Sequence, residues 1–326
     1  MRFLQCFERL LLALVFVMIA GSVHAQGYPN RPVRLVVADS AGGAPDQLAR
    51  LVAQRVSDSL GQQMIVDNRA GAGGVLGADI VAKSPPDGYT LLMTTTAIYA
   101  ILPNLRKDLP YDPVRDFVPV GRIATASNVL VINSALQVQN VAELVRYAKD
   151  RPGALNYASA GIGTPAHLAG EMLNLLADIK VVHVPYKGAA PALLDVIAGN
   201  AQYIITSPIA AGAHMNAGRV RAIATTGTER NPALPDLPTI ADTLPGYDIT
   251  QSWGIVAPLG TPNDVVKRLG DELGRALASA DVRDKILKTG AVPASSDSPT
   301  AFAAFMAKER ARLGDVITRS KIELKE

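Results

Sequence analysis

Apolar segments of strand length alternate along this chain with amphipathic segments of helix length, and that rhythm admits few folds. Val33–Ala38 precedes a helical pattern over Asp46–Leu60, Met64–Asp67 precedes Leu76–Lys83, Thr90–Thr94 follows, and Asn156–Ala158 later precedes Pro165–Ala177. Such alternation implies β-α-β units around parallel sheets, hence an α/β fold. The joints are rich in glycine: Ala41-Gly42-Gly43, Gly71-Ala72-Gly73-Gly74, Pro85-Pro86-Asp87-Gly88 and Gly161-Ile162-Gly163-Thr164-Pro165. They fall at the carboxyl ends of strands, where open α/β sheets take their ligands.

Two long extended segments, Phe117–Asn133 and Tyr247–Pro258, interrupt the rhythm. They read as paired crossings between two lobes, with residues 26–124 and 250–326 in the first lobe and 125–249 in the second. Helices predicted over Asn263–Ala278, Asp281–Thr289 and Pro299–Ser320 return to the first lobe.

The N-terminus reads as an export signal over residues 1–25. Arg2 and Arg9 precede the apolar run Leu10–Ala20, and Val23 and Ala25 place small side chains at a cleavage site before Gln26. The apolar run is too short to span a bilayer. The single cysteine, Cys6, lies inside that segment and ahead of the apolar run, so the mature chain is expected to be free in the periplasm, without a lipid anchor or a disulfide. A net charge of only +3 gives no reason to expect a nucleic acid or an anionic membrane as partner.

Two loops carry most of the chemistry. Gly42-Gly43-Ala44-Pro45-Asp46 lies between a strand and a helix, where backbone N–H groups freed of bulky side chains form an anion site. The same residues equally suit a tight turn in which Asp46 caps the helix. Ser159-Ala160-Gly161-Ile162-Gly163-Thr164-Pro165 repeats the design in the second lobe, with Thr164 ahead of a proline that favours a first helical turn. Two such loops favour ligand binding over two idle turns. His167 falls in the following first turn, where a structural hydrogen bond outweighs ligand contact.

Enzyme readings fare worse. Ser159 and His167 lack the Gly-x-Ser-x-Gly elbow of a hydrolase. Gly71–Gly77 misses the third glycine of a dinucleotide fingerprint. His167, His183 and His214 show no metal-ligand spacing. No cofactor is expected.

The chain resembles the solute receptors of tripartite tricarboxylate transporters, the Bordetella-uptake-gene type family. The resemblance rests on Tyr28-Pro-Asn-Arg-Pro-Val-Arg-Leu-Val-Val37, Gly42-Gly43-x-x-Asp46-x-x-Ala49-Arg50, Val66-Asp-Asn-Arg-Ala-Gly-Ala-Gly-Gly74, Pro86-Asp-Gly-Tyr-Thr-Leu-Leu92, Gly163-Thr-Pro-x-His-Leu-Ala169 and His183-Val-Pro-Tyr-Lys-Gly188. Leu237-Pro-Thr239 and Trp253-Gly254 continue it.

The resemblance implies two α/β lobes of the type II periplasmic-binding kind, two crossing hinge strands and a central cleft that closes on its ligand. It implies a small carboxylate, amino-acid or aromatic-acid ligand, a monomer, and large and small membrane subunits as partners. Carried over by position, the contacts would come from Ala41, Gly42, Gly43 and Asp46, and from Ser159, Gly161, Gly163 and Thr164, with Tyr28, Thr95 and Tyr186 lining the cleft. Lys187 would anchor its own loop. One position departs from the family: Asp39 stands where relatives carry an aromatic residue, and it reads either as a cleft residue that alters ligand choice or as a turn residue capping local N–H groups. A sensory receptor and a small hydrolase remain as competing readings of the same chain.

Overall fold

A computed structural model of the protein describes residues 28–231, 234–294 and 298–319. The segment read as an export signal, with Cys6 and Gln26, lies outside the described residues. The first part of the chain supplies β1 (Val33–Val37), α1 (Ala44–Leu60), β2 (Met64–Asn68), α2 (Val75–Ala82) and β3 (Thr90–Thr95). A π-helical stretch, Ala97–Ile101, then runs into α3 (Leu102–Leu105), followed by β4 (Phe117–Ser127). The middle supplies β5 (Val129–Asn133), α4 (Val141–Asp150), β6 (Asn156–Ser159), α5 (Pro165–Ala177), β7 (Val182–Pro185), α6 (Ala189–Ala198), β8 (Tyr203–Thr206), α7 (Pro208–Asn216) and β9 (Val220–Thr225). The last part adds β10 (Thr250–Pro258), α8 (Asn263–Ala278), α9 (Ala280–Lys288), β11 (Val292–Pro293) and α10 (Pro299–Arg319).

These strands form two sheets, one in the order β11-β4-β10-β3-β1-β2 and the other β7-β6-β8-β5-β9. β1 pairs in parallel with both β2 and β3, so it is central and covered on both faces. Its side chains divide accordingly: Leu35 and Val37 pack with Leu48 and Val52 of α1, while Val36 faces Val81, Leu92 and Phe302. α1 forms because Leu48, Val52, Val56 and Leu60 recur on one face with Pro45 in its first turn. It stops at Gly61, whose left-handed backbone (φ 69°) lets its N–H return to Ser57 O at 3.1 Å. The second sheet is sandwiched likewise, with Leu130, Ile132 and Tyr157 towards Leu144, Leu168 and Leu173, and Val129, Val131 and Ile204 towards Leu193 and Val196.

The extended stretch expected over Phe117–Asn133 is two strands in different sheets, with β4 staying in the first sheet to Ser127 and the chain crossing at Asn128. The return runs between β9 and β10. Thr226 pins the two crossings together. Its Oγ1 accepts the Asn128 N–H at 2.8 Å, its N–H donates to Asn128 O at 2.9 Å, its carbonyl accepts the Ile249 N–H at 3.1 Å, and its hydroxyl donates to the Ile249 carbonyl. Of the C-terminal helices, α8 and α9 pack on the first sheet, but α10 also places Leu313 and Ile317 in the core of the second, which differs from the expected return to the first lobe alone. Its packed apolar residues, Phe302, Phe305, Met306, Leu313, Val316 and Ile317, follow one face of the helix, and along its length that face passes from the core of the first sheet to that of the second.

Candidate functional site

A cavity with about 50 Å³ of free space lies between the carboxyl ends of the two sheets. The first sheet contributes Ala38 and Asp39 after β1, Gly71, Gly73 and Gly74 after β2, and Thr95 at the end of β3. The second contributes Ala160 after β6, Lys187 and Gly188 after β7, and Thr206 and Ser207 at the end of β8. Trp253 and Gln251 of β10 close the remaining side.

Helix starts dominate this wall. Ala44 and Pro45 open α1, Thr164, Pro165 and Ala166 open α5, Gly188 and Ala189 open α6, and Ser207 precedes α7. The first-turn amides of a helix have no intrahelical acceptors and carry the positive end of its dipole, so their convergence favours an anion. Some of these amides are already used. In α5, Pro165 has no N–H and the His167 N–H goes to Thr164 Oγ1 at 3.4 Å, which leaves Ala166 as the donor at the cavity wall. The Trp253 indole N–H adds a further donor: Trp253 is fully buried, lines the cavity, and its Nε1 has no hydrogen-bond partner.

Asp39 does face this cavity, and it also reaches across it. Its Oδ1 accepts the Ser40 N–H at 2.7 Å, and its carboxylate lies against the start of α6 in the opposite sheet, beside Gly188 and the Ala189 N–H. Burial pushes its carboxyl up to about 6, with those amides pulling the other way. Thr95 also lines the cavity.

Other residues named from the sequence turn out to build the loops. Asp46 accepts the Gly42 N–H at 2.9 Å and pairs with Arg50 at 2.9 Å, so it braces Ala41, Gly42 and Gly43 from the far side. Those three residues form the turn that presents Asp39, with Gly43 packed beside the Asp39 carboxylate. The Thr164 hydroxyl gives its one proton to Gly161 O at 2.7 Å and therefore offers a ligand only a lone pair. Ser159 is fully buried, its Oγ 2.6 Å from His183 Nε2 and accepting the Gly161 N–H at 3.1 Å. Gly163 donates to His167 Nδ1 at 3.3 Å, so that nitrogen carries no proton. His167 stacks on His183 at 4.3 Å and His183 on Tyr157 at 4.8 Å, and burial holds the two imidazoles down at about 4 and about 3. This stack, invisible in the spacing of the two histidines, supports the second loop from beneath. Among the described residues no group of three or more His, Cys, Asp or Glu is placed to hold a metal.

Two positions need correction. Tyr28 does not line the cleft: its hydroxyl donates to Gly88 O at 2.7 Å, in the loop before β3, at the opposite end of the sheet. Tyr186 does not line it either, because its hydroxyl turns away to Asp195 on α6. Trp253, Gln251 and Ser207 line the cavity without having been assigned to the site from the sequence. Trp253 and Ser207 carried usable signals, an isolated tryptophan in an extended crossing and a serine directly before a proline-led helix.

Comparison with known proteins fits this geometry. Residues 48–322 match the tripartite tricarboxylate transporter family receptor. The UPF0065 protein in the tcbD-tcbE intergenic region of Pseudomonas sp. strain P51 is 38% identical, over 97% of this chain and 95% of its own length. Protein BugT of Bordetella pertussis is 35% identical, over 94% of each chain. Of solved structures, R. palustris Rpa4515 with adipate superposes with a TM-score of 0.87 at 37% identity, covering 91% of this chain and 99% of that one. MatC from Rhodopseudomonas palustris with bound malate gives 0.85 at 32%, covering 89% and 100%. A two-lobed α/β architecture, a cavity between the lobes ringed by helix starts and these full-length matches agree on one conclusion: the chain belongs to the receptor family of the tripartite tricarboxylate transporters.

Proposed function

We propose that this protein is a periplasmic solute receptor that captures a small carboxylate-bearing molecule between its lobes and delivers it to a transporter. The observation that carries the reading is the convergence of the α1, α5, α6 and α7 starts on one cavity, whose lining includes Trp253 with an unpartnered indole N–H. An acid carboxylate would take the Ala166 amide and the Trp253 N–H, with Lys187 supplying positive charge at the rim. Two family neighbours whose structures contain adipate and malate support a carboxylate as the ligand class.

Binding and closure are coupled in this reading. The ligand's contacts come from both sheets, so they are complete only when the lobes meet. Residues 1–25 would direct export and be removed before Gln26. The mature chain would act as a monomer and dock on the large and small membrane subunits that the family implies. A thermal-shift screen of carboxylic and amino acids on the purified protein tests the reading, with a rise in melting temperature expected for a small acid.

A further inference from the structure

The α6 start meets a carboxylate from the far side of the cleft. Gly188 at its N-cap offers no side chain, and no side-chain hydrogen bond of its own caps the helix. The carboxylate that stands against this start is Asp39, which belongs to the loop after β1 in the other sheet and lines the cavity together with Gly188 and Ala189. Gly188 makes the approach possible: a Cβ there would fall 2.5 Å from Asp39 Oδ1 and collide with Ser40 Oγ. A ten-residue helix aimed at a cleft is a place where a ligand anion would settle. Here the protein has filled it with its own.

The consequence falls on the ligand. Asp39 lines the cavity, so a bound molecule meets a carboxylate on the wall where helix amides would otherwise be offered. The cavity is narrow, about 50 Å³, and Asp39 is part of its wall, so a second anionic group on a bound acid comes close to Asp39. Two carboxylates that close repel in a space with little water to screen them. A hydroxyl or amine would instead donate to Asp39. Lys187 adds one positive charge to the lining, which balances one carboxylate and not two. The raised carboxyl of Asp39 fits a group that is withdrawn from water and only partly compensated.

We propose that Asp39 is a specificity-determining residue: as a built-in anion at the α6 start, it selects a small acid with one carboxylate and a hydrogen-bond donor over the dicarboxylate of equal length. This deepens the carboxylate reading above and rests on it. The test is calorimetric titration at pH 8 of the wild-type protein and Asp39→Asn. The probes are malonate, succinate, glutarate and adipate, each paired with the acids in which a hydroxyl or an amine replaces one carboxylate. The plain monocarboxylates serve as reference. Asn keeps an acceptor for the Ser40 amide while removing the charge.

Wild type should prefer the hydroxy or amino acid over its diacid by tenfold or more, and Asp39→Asn should shift that ratio at least tenfold towards the diacid. Equal or better diacid binding by wild type, or an unchanged ratio in Asp39→Asn, would overturn the role of Asp39 and leave the carboxylate reading standing. Failure of every acid to bind wild type would overturn the carboxylate reading and this one with it. Should Asp39→Asn not fold, Asp39→Ser supplies the same ratio, and the wild-type preference alone still decides.

Discussion

Gly73 and Ile162 touch across the cleft so closely that a Cβ on Gly73 would strike the Ile162 carbonyl oxygen. Gly73 belongs to the loop after β2 in the first sheet, and Ile162 to the loop after β6 in the second. The seam between the lobes therefore closes only over a bare backbone. Gly73→Ala should leave the separated lobes intact, hold the cleft ajar and weaken ligand affinity by ten- to a hundredfold. Gly73 has φ 68°, so the substitution also costs about 1 kcal/mol of backbone strain. Gly153→Ala is the control, since Gly153 has φ 76° and nothing within 4 Å of its Cβ position. Small-angle scattering with saturating ligand should show compaction in wild type and Gly153→Ala but not in Gly73→Ala.

Trp253 should report on the ligand directly. It is the single tryptophan of the chain, is fully buried and lines the cavity with an unpartnered Nε1. Ligand binding should change its emission. Trp253→Phe should lose about 1.5–3 kcal/mol of binding, the scale of a hydrogen bond to a charged group. Unaltered emission on saturation would mean that the indole does not meet the ligand.

The crossing strands should depend on one hydroxyl. Thr226→Val keeps the shape but strips the acceptor of the Asn128 N–H and the donor to the Ile249 carbonyl, both at buried positions. Leaving these groups unsatisfied should cost about 1–3 kcal/mol each at most, read as a lower midpoint in urea denaturation.

Acid should destabilise the protein through the histidine stack. His167 is held at about 4 by burial, below the ordinary value near 6.5. Between those two values the unfolded chain binds a proton that the folded protein refuses, so stability falls as pH drops through that window. Above 6.5 both states are neutral and the effect vanishes. The loss from this group is at most about 3 kcal/mol. Asp39, pushed up to about 6, works in the opposite sense, because the folded state then binds a proton that the unfolded chain does not. The comparison must therefore be between wild type and His167→Asn, whose side-chain oxygen can still accept the Gly163 N–H. The variant should show a flatter stability profile between pH 6.5 and 4 in denaturant melts.

Much of the fold is legible in the sequence because its helices and central strands carry strong periodicity. The spans of α5 and α8 read from the pattern agree with the structure at both ends, and that of α1 differs only in its first turn. The middle of the chain was less legible: β7 and β8 are four-residue strands, too short to establish a period, and the π-helical stretch at Ala97–Ile101 has the composition of an ordinary buried helix. The glycine loops flanking the cleft could be placed from their positions after strands, but the partners of individual side chains could not. Tyr28 and Tyr186 look like cleft residues until Gly88 and Asp195 claim their hydroxyls. The approach of Asp39 to Gly188 at the start of α6 joins residues far apart in sequence and in different sheets, so no local pattern announces it.

Carboxylate recognition by the cavity between the lobes is the property on which the proposed function depends. Calorimetric titration of short acids, each against its uncharged primary amide, measures that recognition. The prediction is saturable one-to-one binding of at least one small acid, with its amide a hundredfold or more weaker, as expected when charge-assisted bonds from helix-start amides and the Trp253 N–H are reduced to neutral ones. Equal affinity for acid and amide, or no binding by any acid, would contradict it.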